Sequence, residues 1–341
     1  MKKLLILLLA LAMCVPLFVG CLGLEDEPIY CTLGDNGKWG YTALLGKWII
    51  DPIYDDAYDF DKENMATVCL DGEWNYINRD GEYIFDEMFD YIYAFDEDGL
   101  ALVYDNGLCG YAKRDGTFAV EIKYEDIGLF DSNGITYALD SNLYGYLNRE
   151  GEWVIDPQFH GAGDFFAGYA PVSVFGECGF IDESGELVID KMFEDAYPFD
   201  ESGLACVCFD GLYGFIDFEG NYVIEPTYEY AFPFGDGNLA SVCVDGLFGF
   251  IDKTGAVVIE PQFDVAYSFF GQTYAAVCVD DLWGYIDESG NFAIEPCYDY
   301  AEPFNSPDYY YDIPYAYVEL GDKWGYIDTK GEYLTHGPLF Q

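Results

Sequence analysis

Cysteine, carboxylate and histidine are the side chains in this 341-residue chain whose spacing could do chemistry. Beyond Cys14 and Cys21 there are nine cysteines: Cys31, Cys69, Cys109, Cys178, Cys206, Cys208, Cys243, Cys278 and Cys297. An odd number cannot all pair within one chain. Cys208, Cys243 and Cys278 lie 35 residues apart and Cys69 shares their phase, so the four read as a ladder on one face. A disulfide along such a ladder needs Cα atoms within about 7 Å, which neighbouring three-stranded units exceed. A metal needs two close cysteines plus further ligands. The close pair, Cys206 and Cys208, is read as split between opposite faces of its strand. The expectation is buried free thiols, safest in a reducing habitat. His160 and His336 are too far apart to make a zinc site or a triad. The 63 Asp and Glu make paired-acid hydrolysis easy to draw. Most of them, however, recur in phase with turns and strand ends, which points to a scaffold. The acidic loops at Asp59, Asp61 and Glu63 and at Asp96, Glu97 and Asp98 misplace the glycine and terminal glutamate of a calcium loop. No nucleophile elbow, phosphate loop or dinucleotide fingerprint occurs. No catalytic residue, metal site or cofactor is expected.

A repeat must position these residues. An aromatic or Cys, then a central residue, then an aromatic recurs nine times. The centres are Gly40, Asn75, Gly110, Gly145, Gly179, Gly214, Gly249, Gly284 and Gly325, at spacings of 35, 35, 35, 34, 35, 35, 35 and 41. Such a period marks a repeat architecture. Residues 205–234 show one unit. Ala205, Val207 and Phe209 alternate as a half-buried strand. Asp210 and Gly211 make a turn, and Tyr213 to Asp217 a second strand. After a second turn at Glu219 to Asn221, a third strand runs from Tyr222 to Glu225 and is stopped by Pro226, which cannot donate to a ladder. Tyr228, Ala231 and Phe234 then lie on an irregular arm.

A Gly follows each centre by six residues, and in five units an Asp precedes that Gly by three: Asp182, Asp217, Asp252, Asp287 and Asp328. Asp opens a type I turn and Gly supplies the positive φ, so these residues read as turn formers rather than catalytic acids. The central Gly is expected to let a neighbouring backbone or ring approach closely, its flanking aromatics packing over it, and Asn75 to mark a looser unit. The fold class is all-β, an array of nine three-stranded meanders of ~35 residues each. Both end units carry all three strands, so an open twisted array is expected ahead of a closed propeller-like ring.

Lys38-Trp39-Gly40-Tyr41, Trp283-Gly284-Tyr285-Ile286-Asp287 and Lys323-Trp324-Gly325-Tyr326-Ile327-Asp328, with Val258 to Asp264 downstream, resemble the bacterial WG-repeat family. Trp39, Gly40, Trp283, Gly284, Trp324 and Gly325 carry the signature. The copies at Asn75, Cys109 and Cys178 are the weakest. The resemblance covers residues 29–335 and implies an all-β array on bacterial surface and secreted proteins, with no common enzymatic activity. The N-terminus resembles a bacterial lipoprotein signal: Lys2 and Lys3, an apolar run from Leu4 to Leu11, then Gly20 before Cys21. That implies a signal at 1–20, lipidation of Cys21 and an acidic linker over 21–28, with a tail at 336–341. Removing Lys2 and Lys3 leaves 12 − 63 = −51 charges.

Composition narrows the function. A net charge of −49 excludes nucleic acid and bare anionic bilayers as partners. An aromatic content of 19% argues against disorder. The long last interval holds an off-period loop, where Tyr309, Tyr310 and Tyr311 are candidate binding residues. The expectation is a monomeric, non-enzymatic protein, lipid-anchored at the cell surface. Its extended β-repeat face would bind protein or polysaccharide, basic proteins included. The alternative is an enzyme or accessory module acting on cell-envelope glycans.

Overall fold

The computed structural model describes residues 28–235, 237–269, 274–304 and 314–334. Cys21, Tyr309, Tyr310, Tyr311 and His336 lie outside these. The described residues form strands and no helix, as the alternating patterns predict. The strands build nine antiparallel sheets of three or four strands, each from consecutive stretches of chain, and no sheet closes into a barrel. The chain divides into two compact units, Met1–Tyr124 with three sheets and Glu125–Gln341 with six.

The sheet around Gly214 contains Asp195–Phe199, Ala205–Phe209, Leu212–Ile216 and Tyr222–Tyr228, in that order. Two expectations are corrected here. The arm is not irregular throughout: Tyr230–Ala231 is a short strand, with Ala231 opposite Val242 of the next sheet. Each such arm thus hands the chain to the following sheet. Nor does Pro226 stop the third strand, which continues to Tyr228. Tyr213 pairs with Tyr228 and Phe215 with Ile224, so two extra residues bulge between those pairs. Pro226 sits in that bulge, where no ladder donor is required.

The bulge explains the central glycine. A Cβ on Gly214 would lie 2.6 Å from the Ile224 carbonyl oxygen and 2.7 Å from the Pro226 nitrogen. Gly249 and Gly284 meet the same two atoms of their own third strands. A backbone, rather than the flanking rings, covers the glycine. Asn75 is the exception and, as expected, marks a looser sheet. Its third segment pairs only through the isolated bridges Ile77–Tyr83 and Trp74–Phe89. The buried Asn75 side chain takes the space of the close approach, its Nδ2 donating to the carbonyls of Phe85 and Glu87 at 2.9 and 2.8 Å.

The first strand is buried on both faces, not half-buried, because successive sheets stack. Ala205 and Val207 pack with Phe180 and Ile189 of the preceding sheet and with Phe199 of their own. Cys206 packs the other way, with Phe215, Phe234, Ala240 and Val242. Cys206 and Cys208, two residues apart on one strand, share a face, which corrects their assignment to opposite faces. The aromatic after Gly214, Gly249 and Gly284 fills the intersheet layer against an arm aromatic nineteen residues on. The ring centroids of Phe215 and Phe234 are 5.0 Å apart, those of Phe250 and Phe269 5.2 Å, and those of Tyr285 and Phe304 4.6 Å. Each pair adds about 0.5–1.5 kcal/mol beyond area burial.

The second turns form as read. Asp217 Oδ1 accepts from the backbone N–H groups of Glu219 and Asn221, and Asp182, Asp252, Asp287 and Asp328 repeat the pattern. Asn78 and Asn148 make the same bonds without a charge.

Candidate binding surface

The tips of the first hairpins carry the chemistry anticipated for the cysteines. The residue after each third strand is an acid in most sheets, and it reaches the hairpin tip of the next. Glu194 Oε2 accepts the Gly211 N–H at 3.1 Å, Glu229 Oε2 that of Gly246 at 2.9 Å, and Asp264 Oδ2 that of Asp280 at 2.8 Å. His160 stands in the acid's place, and its Nδ1 accepts from the Phe175 N–H at 3.4 Å.

The thiol ladder lies beside these clamps. Cys208 Sγ is 3.7 Å from Glu194 Oε2 and Cys243 Sγ is 3.6 Å from Glu229 Oε2. Burial, then the neighbouring carboxylates, raise both thiols above their ordinary value. Thiols held protonated are poor nucleophiles and poor metal ligands. Among the described residues the nine cysteines after Cys21 form no disulfide; six are buried, Cys31 and Cys178 half-buried, and Cys297 exposed. The acidic loops proved to be turns: Asp61 Oδ1 accepts from the N–H groups of Glu63 and Met65, and Asp96 Oδ1 from those of Asp98 and Leu100. Among the described residues no three His, Cys, Asp or Glu are grouped to hold a metal ion.

Beside the ladder the second unit carries a band of aromatic rings, most of them half-buried. The rings before Gly214, Gly249 and Gly284 meet rings of the arms. Tyr213 packs on Tyr230 at 4.8 Å, Phe232 on Tyr267 at 5.4 Å, and Tyr267 stacks on Trp283 at 5.5 Å and 20°. Trp283 then meets Tyr300 at 5.8 Å, and Tyr317 meets Trp324 at 5.8 Å. Hydroxyls and carboxylates line the same band. The Tyr197 and Tyr230 hydroxyls are 3.0 Å apart, and the Tyr213 hydroxyl donates to Asp195 Oδ2 at 3.3 Å. The Tyr317 hydroxyl is pushed up to about 12, by burial first and then by its bond to Glu319. Such a band offers ring edges and faces, with acceptors at their rims. That suits recognition rather than bond breaking.

Of the expected signature residues, Trp283 and Trp324 join the band, Trp283 nearly covered and Trp324 42% exposed. Trp39 packs against the first unit's core around Tyr41 and Tyr54. Gly40 and Gly284 act through the bulge. The arm rings Tyr230, Phe232, Tyr267 and Tyr300 were not singled out from the sequence. Their signal was present in part: aromatics recur 16 and 18 residues after the centres.

The fold is thus that of an all-β repeat protein. The WG containing repeat family matches residues 36–74, 76–109, 110–139, 144–175, 179–213, 213–248, 248–283 and 283–324, and the chain belongs to that family. No curated protein matches the chain. Among solved structures, a eukaryotic initiation factor is similar over 91% of this chain and 95% of its own, at 8% identity and a TM-score of 0.52. Sqt1 of Saccharomyces cerevisiae is similar over 79% and 91%, at 9% identity and a TM-score of 0.42. The extracellular domain of a one-component system of B. thetaiotaomicron is similar over 90% of this chain and 54% of its own, at 11% identity and a TM-score of 0.40. At these identities the first likeness concerns the fold alone.

Proposed function

We propose that this is a non-enzymatic binding protein of a bacterial cell surface. On this reading it is held at the membrane by a lipidated Cys21 and works as a monomer. Its repeat array presents an extended face to protein or polysaccharide partners. The observation that carries the reading is the aromatic and carboxylate band from Tyr197 to Trp324. Apart from the nearly covered Trp283 and the exposed Trp324 its rings are half-buried, so they are held in place by the fold yet reach the surface. The acid excess, 63 against 14, favours cationic partners and makes binding weaken with salt.

The test compares the full chain with a Phe232→Ser/Tyr267→Ser variant on a glycan array and in pull-downs from cell-envelope extracts. The reading expects a partner retained by the parent and lost by the folded variant. Equal capture by both would place binding elsewhere. For the anchor, Cys21→Ser is expected to release the chain from the membrane fraction, and retention there would rule lipidation out.

The enzyme reading draws on carboxyls raised by burial, those of Asp56, Asp164 and Asp200. Burial, then Asp126 and Asp131, raise the Asp164 carboxyl. Asp131, however, is committed to a turn, accepting from the N–H groups of Asn133 and Ile135. The Asp126 carboxylate accepts from the Tyr144 hydroxyl. Asp164 is left without a second acid free to work with it.

A further inference from the structure

The last sheet departs from its own repeat at the band. In three earlier sheets the residue paired with the ring before the central glycine is a cysteine: Cys208 opposite Tyr213, Cys243 opposite Phe248 and Cys278 opposite Trp283. In the last sheet that residue is Glu319, opposite Trp324. The arm position filled by Tyr197, Phe232 and Tyr267 in earlier repeats is filled by Glu302. Neither change serves the core, since Glu302 is exposed and Glu319 half-buried. Both serve the surface. Tyr300 lies opposite Glu319, and the Tyr317 hydroxyl donates to Glu319 Oε1 at 2.8 Å. The Trp324 ring stands beside Tyr317. The Glu302 backbone N–H donates to the Tyr317 carbonyl at 2.9 Å, so Glu302 comes up beside the same rings and two carboxylates share one place with three rings.

The first unit also brings two carboxylates to a ring, and that set holds a guanidinium. The Arg114 guanidinium carbon lies 4.4 Å from the Phe95 ring centroid, with Asp61 Oδ2 at 2.5 Å and Glu63 Oε2 at 3.5 Å from its nitrogens. There one ring face and two carboxylates satisfy one cation. Among the described residues, neither Glu302 nor Glu319 is bonded to a lysine or arginine. We propose that Tyr300, Tyr317, Trp324, Glu302 and Glu319 form a cradle for an arginine side chain of a basic partner segment. This rests on the reading of the band as a binding surface and names what it takes. Arginine fits better than lysine, because its planar fork bonds two carboxylates while its face lies on a ring.

The probe is a short fluorescent oligoarginine peptide, titrated with the full chain and followed by anisotropy. Glu302→Gln/Glu319→Gln is expected to weaken binding about tenfold, the loss of a charge-assisted hydrogen bond. The charge-matched control is Glu225→Gln/Glu260→Gln, on exposed third-strand positions. It is expected to change affinity by less than about twofold, as for screened surface charge. Oligolysine of equal length is expected to bind more weakly than oligoarginine. Should the double variant misfold, the exposed Glu302→Lys takes its place, with binding abolished. Equal losses in cradle and control variants, no preference for arginine, or no binding would each overturn the proposal. If the peptide fails while Phe232→Ser/Tyr267→Ser still loses its own partner, the arginine cradle falls and the binding band stands.

Discussion

At the scale of single residues, the centre of each repeat is governed by one steric fact. The third strand bulges over Gly214, so Gly214→Ala would push a Cβ against the Ile224 carbonyl. Overpacking against backbone is expected to cost about 1–3 kcal/mol, read as a lowered midpoint in urea. An unchanged midpoint would mean the bulge yields freely. The sequence showed the glycine's period but not its cause, because a proline marks a strand end and a bulge equally well. The turn aspartates were legible, since Asp three residues before Gly has a local mechanism. In Asp182 and Asp252 the bonds from the Ser184 and Thr254 hydroxyls, and then those from the turn N–H groups, hold the carboxyl below the ordinary 3.8. A lowered folded value adds stability above the unfolded value and loses it as pH falls through the folded one. Asp164 has the opposite sign. Its carboxyl is raised above 3.8, so its ionised form weakens the fold at neutral pH. Asp164→Asn is therefore expected to raise the melting temperature at pH 7, with the gain gone below about pH 4. A lower melting temperature at pH 7 would show that the charge is stabilising.

At the scale of elements, the strands followed from alternation, whereas their burial did not. Alternation in Ala205 to Phe209 suggested one wet face, yet stacking covers both, and only the tertiary arrangement decides that. The same stacking hides the thiols. With a thiol reagent, Cys297 is expected to react first. Cys31, pushed up to about 12 by burial and then by Asp59 and Asp56, should follow slowly. The six buried thiols are expected to react only on unfolding, and rapid labelling of all nine would contradict the stacked sheets. The Asn75 sheet provides a second check. Amide exchange over Ile84 to Phe89, tied by isolated bridges, is expected to outpace that over Ile224 to Tyr228, tied by a ladder. Equal protection would mean that Asn75 restores what the missing ladder removes.

At the scale of the whole molecule, the −49 charge and the 19% aromatic content belong to one repeated unit. Rings fill the intersheet layers, and acids close turns and clamp hairpin tips. The repeat was legible from its period. The band was not, because its rings come from arms and strands of successive repeats that only folding brings together. Its significance lies in being continuous across sheets while its last members, Glu302 and Glu319, break the repeat. The central claim, that this band is where the protein meets its partner, is tested most directly by capture on a glycan array and from envelope extracts, comparing the full chain with folded Phe232→Ser/Tyr267→Ser. The account predicts a partner held by the parent and lost by the variant. Undiminished capture by the variant would contradict it.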